Sequence, residues 1–205
     1  MVIIGKSIKI GIGFLLLLTL SVVTMGTVEA VLTVVAVLIH EFGHILAVAL
    51  SGGRVKTVRA GVAGMELIYI SGDLSYACDM LLATAGPAAS FFAGMLCVTL
   101  GKYFGFSYSE FFAGINLIFC LFNLIPVSAL DGGKILHAAV AAIFGPFFAE
   151  RTRVCVDAAI ISILFVGGIY VAIKFSHNPT LLICAVMILK SCCKSHARGV
   201  KSHKR

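Results

Sequence analysis

The sequence is poor in charged residues and has no long polar stretch. Only 12% of its 205 residues are Asp, Glu, Lys or Arg, whereas 60% are hydrophobic. A soluble domain of this size could not bury so much apolar surface, and no hydrophilic stretch is long enough for a separate soluble domain. We therefore expect a single integral membrane domain over residues 1–190, followed by a basic cytoplasmic tail over residues 191–205.

Two patterns that are common in secreted proteins are also missing. The seven cysteines are scattered without a C-x-x-C pair, and most lie in apolar runs, where cysteine behaves as a small hydrophobic residue. We predict no structural disulfide. The first apolar segment resembles a signal sequence but has no A-x-A-like cleavage site, so we interpret it as a retained membrane span.

Apolar segments of membrane-spanning length recur along the chain. About 20 helical residues cross the hydrocarbon core of a bilayer. The apolar run at 135–148 is shorter and is broken by Gly145-Pro146, which suits an interfacial or buried helix. We predict an all-α polytopic membrane protein of about six helices, with spans at Ile8–Thr24, Ala30–Leu50, Met80–Leu100, Phe111–Leu130 and Val154–Ile173 and a short sixth span at Thr180–Leu189.

The segment after the second predicted span has a different character. Residues 54–70 contain four charged side chains, loosely alternating apolar residues and two glycines. This pattern is typical of short strands. We predict a small membrane-associated β-hairpin, with strands at Val55–Ala60 and Met65–Ile70.

Basic residues predict the orientation of the chain in the membrane. With six spans and the N-terminus inside, only Lys102 and Lys174 of the 16 Lys and Arg fall on the outer side. Cytoplasmic loops of membrane proteins carry an excess of such residues. We therefore predict a multi-pass protein of a bacterial cell membrane with both termini cytoplasmic. The lipid bilayer then explains the net positive charge, and we expect no nucleic-acid partner.

The most informative motif is H-E-x-x-H at His40–His44, inside an apolar run. Residues four apart share a helix face, so His40 and His44 can bind one metal ion. Glu41 lies about 60° from His44 around the helix and can reach a water without being a ligand. Zinc lowers the pKa of bound water to about 7, and a carboxylate can take the remaining proton. The motif therefore indicates hydrolytic chemistry.

A third protein ligand is needed for a hydrolytic zinc site. In the predicted topology, His40 and His44 lie toward the inner end of the second span, and Asp131 lies at the inner end of the fourth. Alone, Asp131 could be a turn residue, and the histidines could form a structural polar cluster or a metal-storage site. Ionisable groups are costly inside a membrane and are usually functional there, which favours a metal site.

Two motifs together resemble one protein family. H-E-x-x-H at 40–44 and Asn-Leu-Ile-Pro-Val-Ser-Ala-Leu-Asp-Gly-Gly at 123–133 are similar to those of the site-2 protease family of intramembrane zinc metalloproteases. The layout most resembles the branch of the stage IV sporulation protease FB, without a CBS domain. The chain departs from that branch at Ala129, where proline is common, and at Ser90, where asparagine is common.

The resemblance implies specific roles for residues of this chain. His40, His44 and Asp131 would bind one Zn²⁺ per chain, Glu41 would act as general base, and Asn123 would help to position the substrate. We expect an intramembrane endopeptidase that cuts membrane-associated proteins near the cytoplasmic face. Regulated intramembrane proteolysis of a transcription-factor precursor in sporulation is the expected setting, with a membrane protein as regulator.

A helical substrate hides its peptide bonds and must be held extended. The predicted strand pair at residues 55–70 could do this by adding the substrate to a sheet edge, although a packed hairpin without a substrate role fits the sequence equally well. The predicted substrate-binding residues are Asn123, Pro126, Glu66, Leu67, Ile68, Tyr69 and Ile70.

Two other functions would share parts of this pattern. A membrane metal transporter should carry further ligands along its path, and His137 is the one additional histidine at membrane depth. A catalytically silent relative that acts as an adaptor typically loses its base or a ligand, whereas Glu41 is present. Both observations favour the protease.

Overall fold

The structure is a computed structural model that describes residues 2–4, 8–10, 26–51, 54–61, 64–70, 75–174, 182 and 185–193. The chain divides into two compact units, Met1–Ile125 and Pro126–Arg205, which are described in turn.

The first unit contains three packed helices. Helix α1 spans Thr27–Leu50, α2 spans Tyr76–Phe104 and α3 spans Ser109–Asn123. Each of the three packs against the other two. Helix α2 begins after Ser75, whose side chain accepts a hydrogen bond from the Cys78 amide.

Helices α1 and α2 approach each other closely at Gly43. A Cβ atom at this position would lie 2.5 Å from the Ala85 carbonyl oxygen and 2.7 Å from the Ala89 Cβ atom. Small residues let helix backbones come this close within a membrane. Gly43, the fourth residue of the H-E-x-x-H motif, is therefore packed directly against α2, which constrains where the two histidines point.

The first unit also contains a four-stranded sheet. Its strands are β1 (Val2–Ile4), β2 (Ile8–Ile10), β3 (Arg54–Gly61) and β4 (Gly64–Ile70), in that spatial order. Strand β2 pairs parallel with β3, and the other two pairs are antiparallel. The pairing of β3 with β4 runs from Arg54 opposite Ile70 to Gly61 opposite Gly64, with a bulge near Val55. Strand β4 is therefore the last strand of the sheet.

The second unit contains α4 (Asp131–Phe144), α5 (Pro146–Lys174) and helical residues 185–193. Helices α4 and α5 pack against each other. Gly145 separates them with φ +86°, a conformation that glycine adopts without strain. Pro146 is the first residue of α5, where its missing N–H costs nothing.

Three helices of the described residues are long and apolar enough to cross a membrane, namely α1, α2 and α5. They correspond to the second, third and fifth predicted spans. Helix α2 continues through Pro87 without a break. Many large hydrophobic side chains on these helices are exposed, among them Leu38, Phe92 and Ile163, as expected for surfaces that face lipid.

The prediction of a fourth span over Phe111–Leu130 is wrong over its last seven residues, 124–130. Helix α3 has 15 residues and ends at Asn123. Pro126 lacks an N–H group and disfavours a helical conformation at Ile125, so the helix ends before it. Residues 124–130 form turns that lead into α4.

The first predicted span is wrong at its start, because Ile8–Ile10 forms strand β2. Ile8 and Ile10 pair with Val58 and Ala60, far along the chain, and β-branched residues favour strands. The remainder of that segment, residues 11–25, lies outside the described residues. Within the sixth segment, Thr180–Leu189, residues 182 and 185–189 are helical and the others lie outside the description. The count of six spans stays a prediction.

Candidate metal centre

Helix α1 places the three polar residues of the H-E-x-x-H motif on or near one buried face. His40 is 5% exposed and Glu41 is 8% exposed, although the helix is otherwise strongly apolar. The imidazole rings of His40 and His44 have centroids 5.1 Å apart, with their planes at 77°. One helix turn therefore brings the two rings together.

A backbone contact determines the tautomer of His44. Its Nδ1 atom lies 2.8 Å from the carbonyl oxygen of Leu82 on α2. Because a carbonyl oxygen can only accept, Nδ1 carries the hydrogen and Nε2 carries the lone pair. Histidines that bind metals usually donate their other ring N–H in this way. His44 is thus prepared to bind a cation through Nε2.

Ser90 holds the other histidine. Its hydroxyl oxygen lies 3.1 Å from the Nδ1 atom of His40, and its side chain is fully buried in α2. A hydroxyl can accept or donate, so Nδ1 of His40 can donate to it, which leaves the lone pair on Nε2. Both imidazoles are therefore oriented by α2.

The backbone of α2 also passes directly beside the metal-binding edge of His44. A Cβ atom on Gly86 would lie 2.2 Å from the Nε2 atom of His44 and 2.7 Å from two ring carbons. No side chain fits at this position without moving the imidazole. Neither contact is predictable from the sequence, because the Leu82 carbonyl has no side-chain signature and a glycine at 86 does not by itself indicate that a histidine lies beside it.

In the second unit, Asp131 is the first residue of α4 and is 4% exposed. Its carboxylate Oδ1 accepts a hydrogen bond from the Lys134 ammonium at 2.7 Å. A negative charge at a helix N-terminus is also favoured by the helix dipole. The carboxylate is the form in which aspartate binds a metal, and both the cation and the helix terminus suit that form.

His40, His44 and Asp131 form a group that could hold a metal ion. One potential ligand atom from each residue lies within 4.8 Å of the other two. Two imidazole nitrogens and one carboxylate oxygen are the donor set of hydrolytic zinc sites that keep an open position. The residues thus fit zinc in both number and type. Among the described residues this is the one such cluster of His, Cys, Asp or Glu, and it does not include His137.

The predicted substrate-binding residues lie in three places. Asn123 ends α3, and its side-chain amide donates to the Phe119 carbonyl oxygen at 3.0 Å. Pro126 is exposed in the turns before α4. Glu66–Ile70 lies in β4, whose side chains are outside the described part of the structure.

The apolar helices and the His-Glu-His face define the class of membrane-embedded metallopeptidases. Residues 13–174 match the model of the peptidase M50B-like family, and the chain belongs to this family. The resemblance to site-2 proteases drawn from the two motifs is thereby confirmed, and the sporulation branch stays a prediction.

Named relatives and a solved structure agree with this assignment. The chain is 28% identical over 202 residues to a zinc metalloprotease of Methanocaldococcus jannaschii, covering 91% of this chain and 56% of the relative. It is 32% identical over 130 residues to a Synechocystis protein named as a candidate zinc metalloprotease, covering 59% of this chain and 33% of that protein. The chain therefore spans about half or less of the length of these relatives.

The fold is similar to that of a site-2 protease from Methanocaldococcus jannaschii. The TM-score is 0.73 at 21% sequence identity, and the match covers 95% of this chain and 93% of the solved chain. At this identity the likeness concerns the fold alone.

Proposed function

We propose that this chain is a zinc-dependent endopeptidase that cuts membrane-associated protein substrates. The observation that carries the proposal is the group formed by His40, His44 and Asp131, with Glu41 beside it on the same buried helix face. A carboxylate next to two histidines on an apolar helix would be costly without such a role. The names of the relatives, which describe zinc metalloproteases, support the same activity.

In this proposal His40, His44 and Asp131 hold one Zn²⁺, which when bound would polarise the scissile carbonyl and make a water more acidic. Glu41 accepts the proton of the attacking water and later donates it to the leaving amine. Ser90 and the Leu82 carbonyl hold the two imidazoles in the orientation that this arrangement needs. The low exposure of Glu41 keeps competing bulk water away from its carboxylate.

Strand β4 is the proposed docking strand for the substrate. A transmembrane substrate has its backbone hydrogen bonds satisfied within a helix, so an extended segment needs replacement partners. Strand β4 is last in the sheet, and β3 is its one strand partner among the described residues. A substrate that adds to such an edge as a further strand is bound mainly through hydrogen bonds between main-chain groups. Asn123 and Pro126 are proposed to hold the segment close to the scissile bond.

The proposed setting is a bacterial cell membrane with both termini cytoplasmic and cleavage near the cytoplasmic face. The distribution of basic residues supports this orientation. The similarity to the sporulation branch suggests a membrane-bound transcription-factor precursor as the substrate class, with a membrane protein as regulator. In this proposal residues 1–190 form the protease domain, residues 191–205 are a cytoplasmic tail, and its basic side chains are attracted to anionic lipid.

A reconstitution experiment tests the activity against the transporter alternative. The purified chain is placed in lipid vesicles with a panel of tagged single-span proteins, and zinc content, peptide-bond cleavage and zinc flux are measured together. We expect about one zinc per chain and zinc-dependent cleavage without flux. Zinc flux without cleavage across the panel would contradict the proposal and support a transporter.

A further inference from the structure

Asp157 is an acidic residue inside helix α5, one of the three helices long and apolar enough to cross a membrane. Its carboxylate accepts two hydrogen bonds from Ser128. The Ser128 amide donates to Oδ1 at 2.8 Å, and the Ser128 hydroxyl donates to Oδ2 at 2.6 Å. A carboxylate in such a helix is costly and is usually retained for a function, yet the proposed catalytic group does not include it.

Ser128 belongs to the turn that delivers Asp131. The Leu130 amide donates to the Val127 carbonyl oxygen at 2.8 Å, which closes a turn over residues 127–130. Asp131 is the next residue and begins α4. Two charge-assisted hydrogen bonds to one residue fix both the position and the orientation of this turn. Asp157 therefore controls the backbone three residues before the proposed ligand.

The same turn is held from two further directions. A Cβ atom on Gly133 would lie 2.1 Å from the Val127 carbonyl oxygen and 2.5 Å from the Ser128 nitrogen, so the first turn of α4 closes directly on that peptide. The buried thiol of Cys192 lies beside the Ser128 side chain and the Ala129 backbone. Contacts from α4, α5 and residues 185–193 thus converge on a turn of four residues.

We infer that Asp157 is a positioning residue for Asp131, holding the 127–130 turn so that the Asp131 carboxylate is preset to bind the metal. The inference rests on the proposed metal centre. If the turn is loosely held, its ligand must become ordered when the metal binds. The conformational entropy lost in this step lowers the affinity for metal. A purely structural role for Asp157 would instead lower the stability of the protein and leave its affinity for metal unchanged.

The test compares metal binding in folded preparations of the 205-residue chain. Zinc affinity is measured by competition with a chelator, and the visible spectrum of the Co²⁺-substituted protein reports the ligand geometry. Asp157→Ala should weaken zinc affinity by roughly 10- to 100-fold, as found for residues that orient metal ligands, and should change the cobalt spectrum. Asp157→Asn should retain most of the affinity, because its amide can accept from the Ser128 amide and donate to the Ser128 hydroxyl.

A matched control lies on the same helix. The Ser162 hydroxyl donates to the Ala158 carbonyl oxygen within α5, at 2.7 Å. Ser162→Ala removes a hydroxyl of this helix without touching the turn, and its zinc affinity and cobalt spectrum should equal those of the wild type. A folded Asp157→Ala protein with wild-type affinity and spectrum would overturn the inference. A wild type that binds no metal would instead overturn the proposed metal centre and, with it, this inference.

A second pair of variants covers the case in which Asp157→Ala fails to fold. Ser128→Thr keeps the hydroxyl. Ser128→Val introduces a side chain of nearly the same shape as threonine but without the hydroxyl. The valine variant should bind zinc several-fold more weakly than the threonine variant and show an altered cobalt spectrum. Equal affinities and spectra in the two variants would contradict the inference.

Discussion

The carbonyl oxygen of Leu82 accepts a hydrogen bond from Nδ1 of His44 at 2.8 Å. Because Nδ1 carries the hydrogen, Nε2 is the nitrogen of that imidazole that can bind a metal ion. Helix α2 provides none of the three proposed ligands. It nevertheless orients both histidines, His44 through a carbonyl and His40 through the Ser90 hydroxyl. The packing of α1 on α2 therefore orients both histidines of the candidate centre.

Gly86→Ala should disrupt the metal centre. The added methyl group would lie 2.2 Å from the Nε2 atom of His44, so the imidazole must move away from its proposed ligand position. We expect zinc affinity to fall at least about tenfold, measured by chelator competition. Alanine is a better helix former than glycine, so the change should not weaken α2 through backbone propensity.

Gly114→Ala is the matched control for that substitution. It makes the same change in helix α3, where a Cβ atom would meet nothing within 4 Å. Its zinc affinity should equal that of the wild type. Wild-type zinc affinity in Gly86→Ala would show that the His44 imidazole does not occupy the described position.

Ser90→Ala should weaken metal binding without removing a ligand. The substitution deletes the hydroxyl that lies 3.1 Å from Nδ1 of His40 and so removes a contact that orients this imidazole. We expect zinc affinity to fall by roughly 10- to 100-fold. Thr99→Val, which deletes a hydroxyl that bonds within α2 itself, should leave affinity unchanged. Equal affinities in the two variants would remove Ser90 from the proposed centre.

Asp131→Ala should lose zinc, whereas Lys134→Ala should keep it. Asp131 is buried and belongs to the candidate ligand group, while the Lys134 side chain is 62% exposed. An ion pair with so exposed a partner contributes little in water, typically about 1 kcal/mol or less. Zinc content of the purified variants checks both expectations. Full zinc in Asp131→Ala together with loss in His44→Ala would place the third ligand elsewhere, with His137 the next residue to test.

Proline at successive positions of Glu66–Ile70 should impair cleavage and spare zinc binding. Proline lacks the N–H that an added strand would use, and it disrupts pairing within a sheet. Substitution by similar β-branched residues should have mild effects, because edge pairing uses main-chain groups. Cleavage of a tagged single-span substrate and zinc content are measured on the same preparations. Activity that survives prolines throughout β3 and β4 would leave Asn123 and Pro126 as the proposed clamp.

Much of the candidate centre is readable from the sequence because it depends on local spacing. The positions of His40 and His44 on one face follow from helix geometry alone, and the length of their apolar run predicts a span that α1 provides. The predicted depth of Asp131 in the membrane matches that of the two histidines, and this depth follows from the order of the spans rather than from any contact. Such features require no knowledge of which helices touch.

The features that the sequence did not predict depend on contacts between distant parts of the chain. Ile8–Ile10 is a strand because it pairs with residues 58–60. These partners lie about 50 residues further along the chain, so the local sequence does not predict the pairing. The Leu82 carbonyl has no side-chain signature at all. The end of α3 at Asn123 is a different case, because Pro126 is a local signal in the sequence that predicts an end to the helix before it. The apolar composition of residues 111–130 favours a continuous span, but Pro126 determines where the helix ends.

The most direct test of the proposed function is cleavage by Glu41→Gln measured beside its zinc content. Glutamine has nearly the same shape and cannot accept a proton from water, so the fold and the zinc content should be retained. Removal of a general base typically lowers a rate by 10²- to 10⁴-fold. The account predicts a zinc-loaded variant whose cleavage of the tagged single-span substrate falls by that range or more. Undiminished cleavage by zinc-loaded Glu41→Gln would contradict the proposed protease mechanism.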